Sequence, residues 1–175
     1  MPEIKRVLFD QDVIAARVEA LAQRISTDYA GKELVLICIL KAAAIFAADL
    51  MRRLSVSAKI EFIQAASYGM SAASSREVVI VQDLHKDIEN RHILLVDTII
   101  DTGHTLHALL GLLAERKPAS MNIVVLLDKK SRRSTEVPVA YCGFEVPDEF
   151  VVGYGMDYRD QYRTLPYIAI VEPGE

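Results

Sequence analysis

ILLVDTIIDTGHTL, residues 93–106, joins an apolar strand segment, a tight polar turn and the first residues of a helix. His92 to Val96 (HILLV) has the length and composition of a strand covered on both faces, and a helical period follows from about His104 to Arg116. Such a unit delivers Asp97 to the carboxyl edge of a sheet and follows it with Asp101, Thr102, Gly103 and Thr105. The free amides and positive dipole end of a starting helix can hold a phosphate dianion. Gly103 allows close backbone approach, and the threonine hydroxyls add donors. The plainer reading is that Asp101 or Thr102 only caps the helix. A cap, however, needs neither a second acid at the strand end nor a hydroxyl three residues further on.

Working outward, Leu34 to Leu40 (LVLICIL) is another apolar run of strand length, followed by a helical pattern from about Ala43 to Leu54. Ahead of it, Ile14, Val18, Leu21 and Ile25 recur at steps of four, three and four, one face of a helix that Gly31 can stop. This surface helix is read as the first element. Val56 to Ile63 alternates, Glu77 to Gln82 is β-branched, and Met121 to Leu127 is apolar, so all three read as strands. Gln64 to Arg76 is small, polar and without period, a loop long enough to act as a lid. Strands alternating with helices imply right-handed crossovers and a largely parallel sheet, with ligands outside the carboxyl ends of the strands. Beyond Pro138 the alternation breaks into short extended runs split by Gly and Pro, which suit a cap over that end. The fold class is therefore α/β: a mostly parallel sheet flanked by helices on both faces, with a small hood, in one domain over residues 1–175.

Composition narrows the function. Lys plus Arg number 20 against 24 Asp plus Glu, a net charge of −4, so the chain has no global attraction to nucleic acid or to anionic membrane. Any bound anion must meet a local site. Cys38 and Cys142 have no close Cys or His spacing of a zinc site and read as free thiols in a reducing cytosol. The apolar stretch 34–48 is 15 residues long with Lys41 inside it, too short for a membrane span, and MPEIKRVLFD lacks the apolar run of a signal peptide. A cytoplasmic, soluble protein is expected. His104 and His107 stand three apart, but no third ligand is spaced to complete a metal site with them.

The turn at 97–105 resembles the signature of the type I phosphoribosyltransferases. Within that family the likeness is to the hypoxanthine-guanine branch, carried also by ICILKAAAIFAADLMR around Lys41, LLDKKSRR around Lys129 and GFEVPDEFVVGYGMDYRDQYR from Gly143 to Arg163. The resemblance covers essentially the whole chain. It implies transfer of a phosphoribosyl group from phosphoribosyl pyrophosphate to N9 of a purine, with Mg2+, in a homodimer or homotetramer. It implies that Asp101, Thr102, Gly103, His104 and Thr105 hold the 5′-phosphate, with Asp101 also exchanging a proton with purine N7. It assigns Asp97 and Thr98 to the ribose end, Asp97 and Asp157 to the metal, and Lys129 to the exocyclic O6 of the base. Phe150 would stack on the purine, Val151 would read it through its backbone, Arg163 and Lys41 would meet pyrophosphate, and Ser67 and Tyr68 would belong to the mobile loop. Taken residue by residue, Phe150 is also readable as core, Arg163 as half of a surface ion pair, and 129–133 as a solvated basic run.

A xanthine-preferring enzyme and a non-catalytic regulator that binds nucleotide or RNA share the same fold and stay open at this point. Two positions depart from the family pattern. Thr98 stands where a second carboxylate is usual, and Lys41-Ala42-Ala43 stands where Lys-Gly-Gly or Lys-Gly-Ala is usual. In the family that loop carries a cis peptide before the lysine, and a methyl at residue 42 narrows the dihedrals open to it.

Overall fold

The structure is a computed structural model and describes residues 3–68 and 77–172. Its central sheet has six strands in the order β4-β3-β2-β5-β6-β7. These are β2 (Leu34–Ile39), β3 (Ala58–Tyr68), β4 (Glu77–Gln82), β5 (His92–Ile100), β6 (Ser120–Asp128) and β7 (Tyr141–Glu145). All adjacent pairs are parallel except β3 with β4. The apolar run at 34–39 is buried at every residue because both faces are covered. Leu34, Leu36 and Cys38 pack with Ile14, Val18 and Ile25 of α1 (Gln11–Asp28) and with Phe46 and Leu50 of α2 (Ala44–Met51). Val35, Ile37 and Ile39 pack with Leu106, Leu109 and Leu113 of α3 (His104–Ala114) on the other side. The period-2 alternation of β2 thus feeds two separate cores.

After β2 the chain goes to β3 on one side and, after β4, returns to β5 on the other. The carboxyl ends of β2 and β5 therefore flank the point where strand order reverses, the crevice in which open α/β sheets bind ligands. Lys41 follows the first of these strands, and residues 101–105 follow the second.

Three expectations need correction. The first element is β1 (Ile4–Phe9), not the helix, because β1 pairs antiparallel with β9 (Ile168–Val171) near the far end of the chain. A strand held by a partner more than 150 residues away has little local signature, and four of its six residues are exposed. β9 also pairs with β8 (Phe150–Val152), and this three-stranded antiparallel sheet is the hood. The run Tyr141–Glu145, expected in the cap, instead extends the main sheet in parallel beside β6. Residues 64–68 of the expected loop continue β3, pairing antiparallel with β4 from Gln64↔Gln82 to Tyr68↔Glu77 with one register shift between Gln64 and Ala65. Ser67 and Tyr68 are thus strand positions in their backbone, and residues 69–76 of the expected lid lie outside the described residues.

Candidate active site

Gly103 is the N-cap of α3, with φ +90°. This left-handed backbone disfavours any side chain, and a Cβ there would lie 2.5 Å from the Thr135 carbonyl oxygen. No side chain caps the helix among the described residues, and the His104 amide donates only to Thr102 Oγ1 at 3.4 Å. The reading of Asp101 or Thr102 as a simple cap is therefore not what the turn shows. Its first amides have no side-chain cap, an arrangement able to hold an anion. Gly103→Ala should lower unfolding stability by about 2 kcal/mol or more, read from a denaturant midpoint. An unchanged midpoint would contradict the close approach.

Segment 130–135 closes over this turn. The Ser134 and Thr135 amides both donate to the Thr102 carbonyl at 3.1 Å, and Thr135 Oγ1 lies 2.9 Å from His104 Nδ1. Arg132 Nε donates to Asp101 Oδ1 at 3.0 Å, while Arg133 pairs with buried Asp128 and donates from Nε to the Asp101 carbonyl at 3.2 Å. The basic run 129–133 is thus only partly a solvated one. Arg132 and Arg133 were missed as site residues, and the available signal was two arginines just past a strand end, set between Asp101 and Asp148 in sequence.

A cavity of about 240 Å³ at the carboxyl ends is lined by Ala42, Ile99, Asp101, Lys129, Phe150, Val151, Met156 and Asp157. Five of these come from the expected set, delivered by four different segments. Lys129 is 8% exposed, placed by its amide bond to the Ile100 carbonyl at 3.0 Å at the end of β6. Phe150 is 40% exposed on β8 and meets Tyr158 edge-on at 5.4 Å, so it is not core. Val151 beside it is buried. Opposite lies the loop after β2, where Leu40–Lys41 is a cis peptide and Lys41 is exposed. Ala42 is not among the residues with positive φ, so its methyl costs no unusual conformation there. Gly155 makes room for this loop, since a Cβ on it would lie 2.3 Å from the Ala42 carbonyl oxygen.

Arg163 is more than a surface ion pair. It donates to the Gly155 carbonyl at 2.9 Å and meets Asp157 Oδ1 at 2.9 Å and Asp160 Oδ1 at 3.1 Å, which fixes the 155–163 turn against the cavity. Asp97 is partly buried within β5, three residues before its end, and burial raises its carboxyl from an ordinary 3.8 to about 7, against the pull of the Thr98 and Ile99 amides. Thr98 is not brought to the cleft surface. It is wholly buried, and its Oγ1 has no hydrogen-bond partner among the described residues, so it presents no face to a ribose in this conformation.

An open α/β sheet with open amides at a helix start and a base-sized cavity at its switch point has the form of a site able to hold a phosphorylated ligand beside a planar group. The profile of the phosphoribosyl transferase domain matches residues 7–159, and the chain belongs to that family. It is 42% identical over 171 residues to the hypoxanthine-guanine phosphoribosyltransferase of Staphylococcus aureus, covering 98% of this chain and 96% of that protein. It is 40% identical over 171 residues to the bifunctional protein TilS/HprT of Listeria monocytogenes, of which it spans 26% of the length. A crystal structure of a hypoxanthine-guanine phosphoribosyltransferase from Bacillus anthracis superposes with TM-score 0.94 at 39% identity, covering 97% of this chain and 100% of that one. A hypoxanthine phosphoribosyltransferase structure from Staphylococcus aureus gives TM-score 0.94 at 42% identity, covering 97% and 92%.

Proposed function

We propose that the chain transfers the phosphoribosyl group of 5-phosphoribosyl 1-pyrophosphate to N9 of hypoxanthine or guanine, forming the 5′-monophosphate and releasing pyrophosphate. The observation that carries this reading is the cavity in which Asp101, Lys129, Phe150, Val151 and Asp157 converge beside the α3 amides. The N9–C1′ bond forms as the C1′–oxygen bond to pyrophosphate breaks, and the proton on N7 passes to the Asp101 carboxylate. The α3 amides and the 102–105 turn anchor the 5′-phosphate, fixing C1′ relative to the base. The Lys129 ammonium donates to O6. A 6-amino group would leave that buried cation facing a donor, so adenine is rejected by an unpaired charge rather than by shape. Phe150 supplies a flat apolar face with room on its exposed side.

Mg2+ fits the donor chemistry. Asp97 and Asp157 are carboxylates, the hard oxygen ligands that magnesium selects, and no trio of His, Cys, Asp or Glu among the described residues forms a cage. Each of these carboxylates would offer an oxygen to such an ion beside substrate oxygens, and the ion would neutralise charge on the leaving pyrophosphate. On this reading Arg163 and the loop at Lys41 would meet the pyrophosphate. The same reading includes a homodimer or homotetramer in the cytoplasm. Among the described residues no helix is long and apolar enough to cross a membrane.

The test is product analysis. Purified protein with magnesium, phosphoribosyl pyrophosphate and hypoxanthine should release one pyrophosphate per 5′-monophosphate formed, and a chelator should stop it. Conversion of xanthine alone would move the assignment to the xanthine branch, and nucleotide binding without turnover would make the protein a regulator.

A further inference from the structure

The Asp101 carboxylate, on which the proposed proton transfer rests, is held by one guanidinium. Arg132 Nε donates to Asp101 Oδ1 at 3.0 Å while its NH1 lies 3.6 Å from Asp148 Oδ2, two residues before Phe150. One side chain therefore ties the phosphate turn after β5 to the loop that opens the hood. These two segments supply the proton-transfer group and the stacking ring to one cavity. The Arg132 and Asp101 side chains are 48% and 45% exposed, and such a pair contributes little to folding. Its geometry is better matched to orienting a carboxylate. Oδ1 is engaged by the arginine, whereas Oδ2 has no protein donor among the described residues. The other charged groups near Asp101 are Lys129 and Asp157 across the cavity and Arg133 at the backbone carbonyl.

We propose that Arg132 is a positioning residue for the transfer: it holds Asp101 turned so that the second oxygen meets purine N7. A carboxylate free to rotate reaches N7 in only a fraction of its rotamers, and alignment within hydrogen-bond reach is what proton transfer requires. The inference rests on the phosphoribosyl transfer reading and on Asp101 as its proton acceptor.

The experiment is a double-mutant cycle with Arg132→Met, which keeps the apolar stem, and Arg132→Lys, crossed with Asp101→Asn. Arg132→Met should lower kcat/KM for hypoxanthine by about tenfold or more while KM for phosphoribosyl pyrophosphate changes by less than about twofold, with partial recovery in Arg132→Lys. In the Asp101→Asn background the same Met substitution should change the rate by less than about twofold, because the group it positions is gone. Arg132→Gln serves as a second uncharged variant, and thermal midpoints within a few degrees of the parent show that folding is intact. Equal losses in both backgrounds, or no loss in the native one, overturn the inference. An unsubstituted protein that transfers to no purine overturns the functional reading instead, so the two failures are distinct.

Discussion

Asp101→Asn is expected to lose turnover by roughly 100-fold or more while binding phosphoribosyl pyrophosphate almost as tightly as before. Asn keeps the shape of the side chain and can still accept from Arg132 Nε, so the turn over the phosphate site is retained. What it removes is a basic oxygen for the N7 proton. On the proposed reading the phosphate end rests on the α3 amides and the turn backbone, neither of which depends on the carboxylate. Rates with hypoxanthine and a separate binding titration check the two halves. Near-parental turnover in Asp101→Asn would reduce Asp101 to a partner for Arg132 and would remove acid-base work from the mechanism.

Asp97→Asn should raise stability, and by an amount that depends on pH. Burial raises the Asp97 carboxyl from 3.8 to about 7, so the folded protein holds its proton more tightly than the unfolded chain. Stability from this group is therefore highest below about pH 4, declines as pH rises through 4 to 7, and stays at its lowest above that range. Removing the charge should stabilise the protein, and the gain should be larger at pH 8 than at pH 5 by on the order of 2 kcal/mol. Urea midpoints at the two pH values measure it. A gain independent of pH would show that Asp97 carries no such cost in the folded protein. The variant should also lose activity, as expected where a buried charge is kept for function at the expense of stability.

The parts of the fold that the sequence states clearly are those where one segment meets both its neighbours locally. Leu34–Ile39 is apolar at every position because α1 and α2 cover one face and α3 the other, and that run alone announces a covered parallel strand. Asp97, Asp101 and Gly103 are legible because strand, turn and helix follow one another without interruption. β1 is not legible, since its only strand partner among the described residues is β9 and the pairing is shifted by bulges at two points along Ile4–Phe9. The place of β7 in the main sheet is hidden for a similar reason: it follows β6 with no intervening α-helix to signal a crossover. The role of Arg132 is hidden differently. A basic run after a strand looks alike whether its charges face water or carboxylates, and only the fold brings Asp101 and Asp148 to within 3.0 and 3.6 Å of the same guanidinium. Thr98 shows the reverse case, a departure conspicuous in sequence whose hydroxyl is enclosed in the fold.

The central claim is that a 6-oxopurine is selected by the Lys129 ammonium and that its N9 attacks C1′ of a phosphate-anchored ribosyl group as pyrophosphate leaves. The most direct test is the ratio of kcat/KM for hypoxanthine to that for adenine, measured with the same preparation, magnesium and phosphoribosyl pyrophosphate. A site that donates to O6 should favour hypoxanthine by about 10⁴-fold or more, because adenine leaves a buried charge unpaired. Comparable use of adenine would contradict the account.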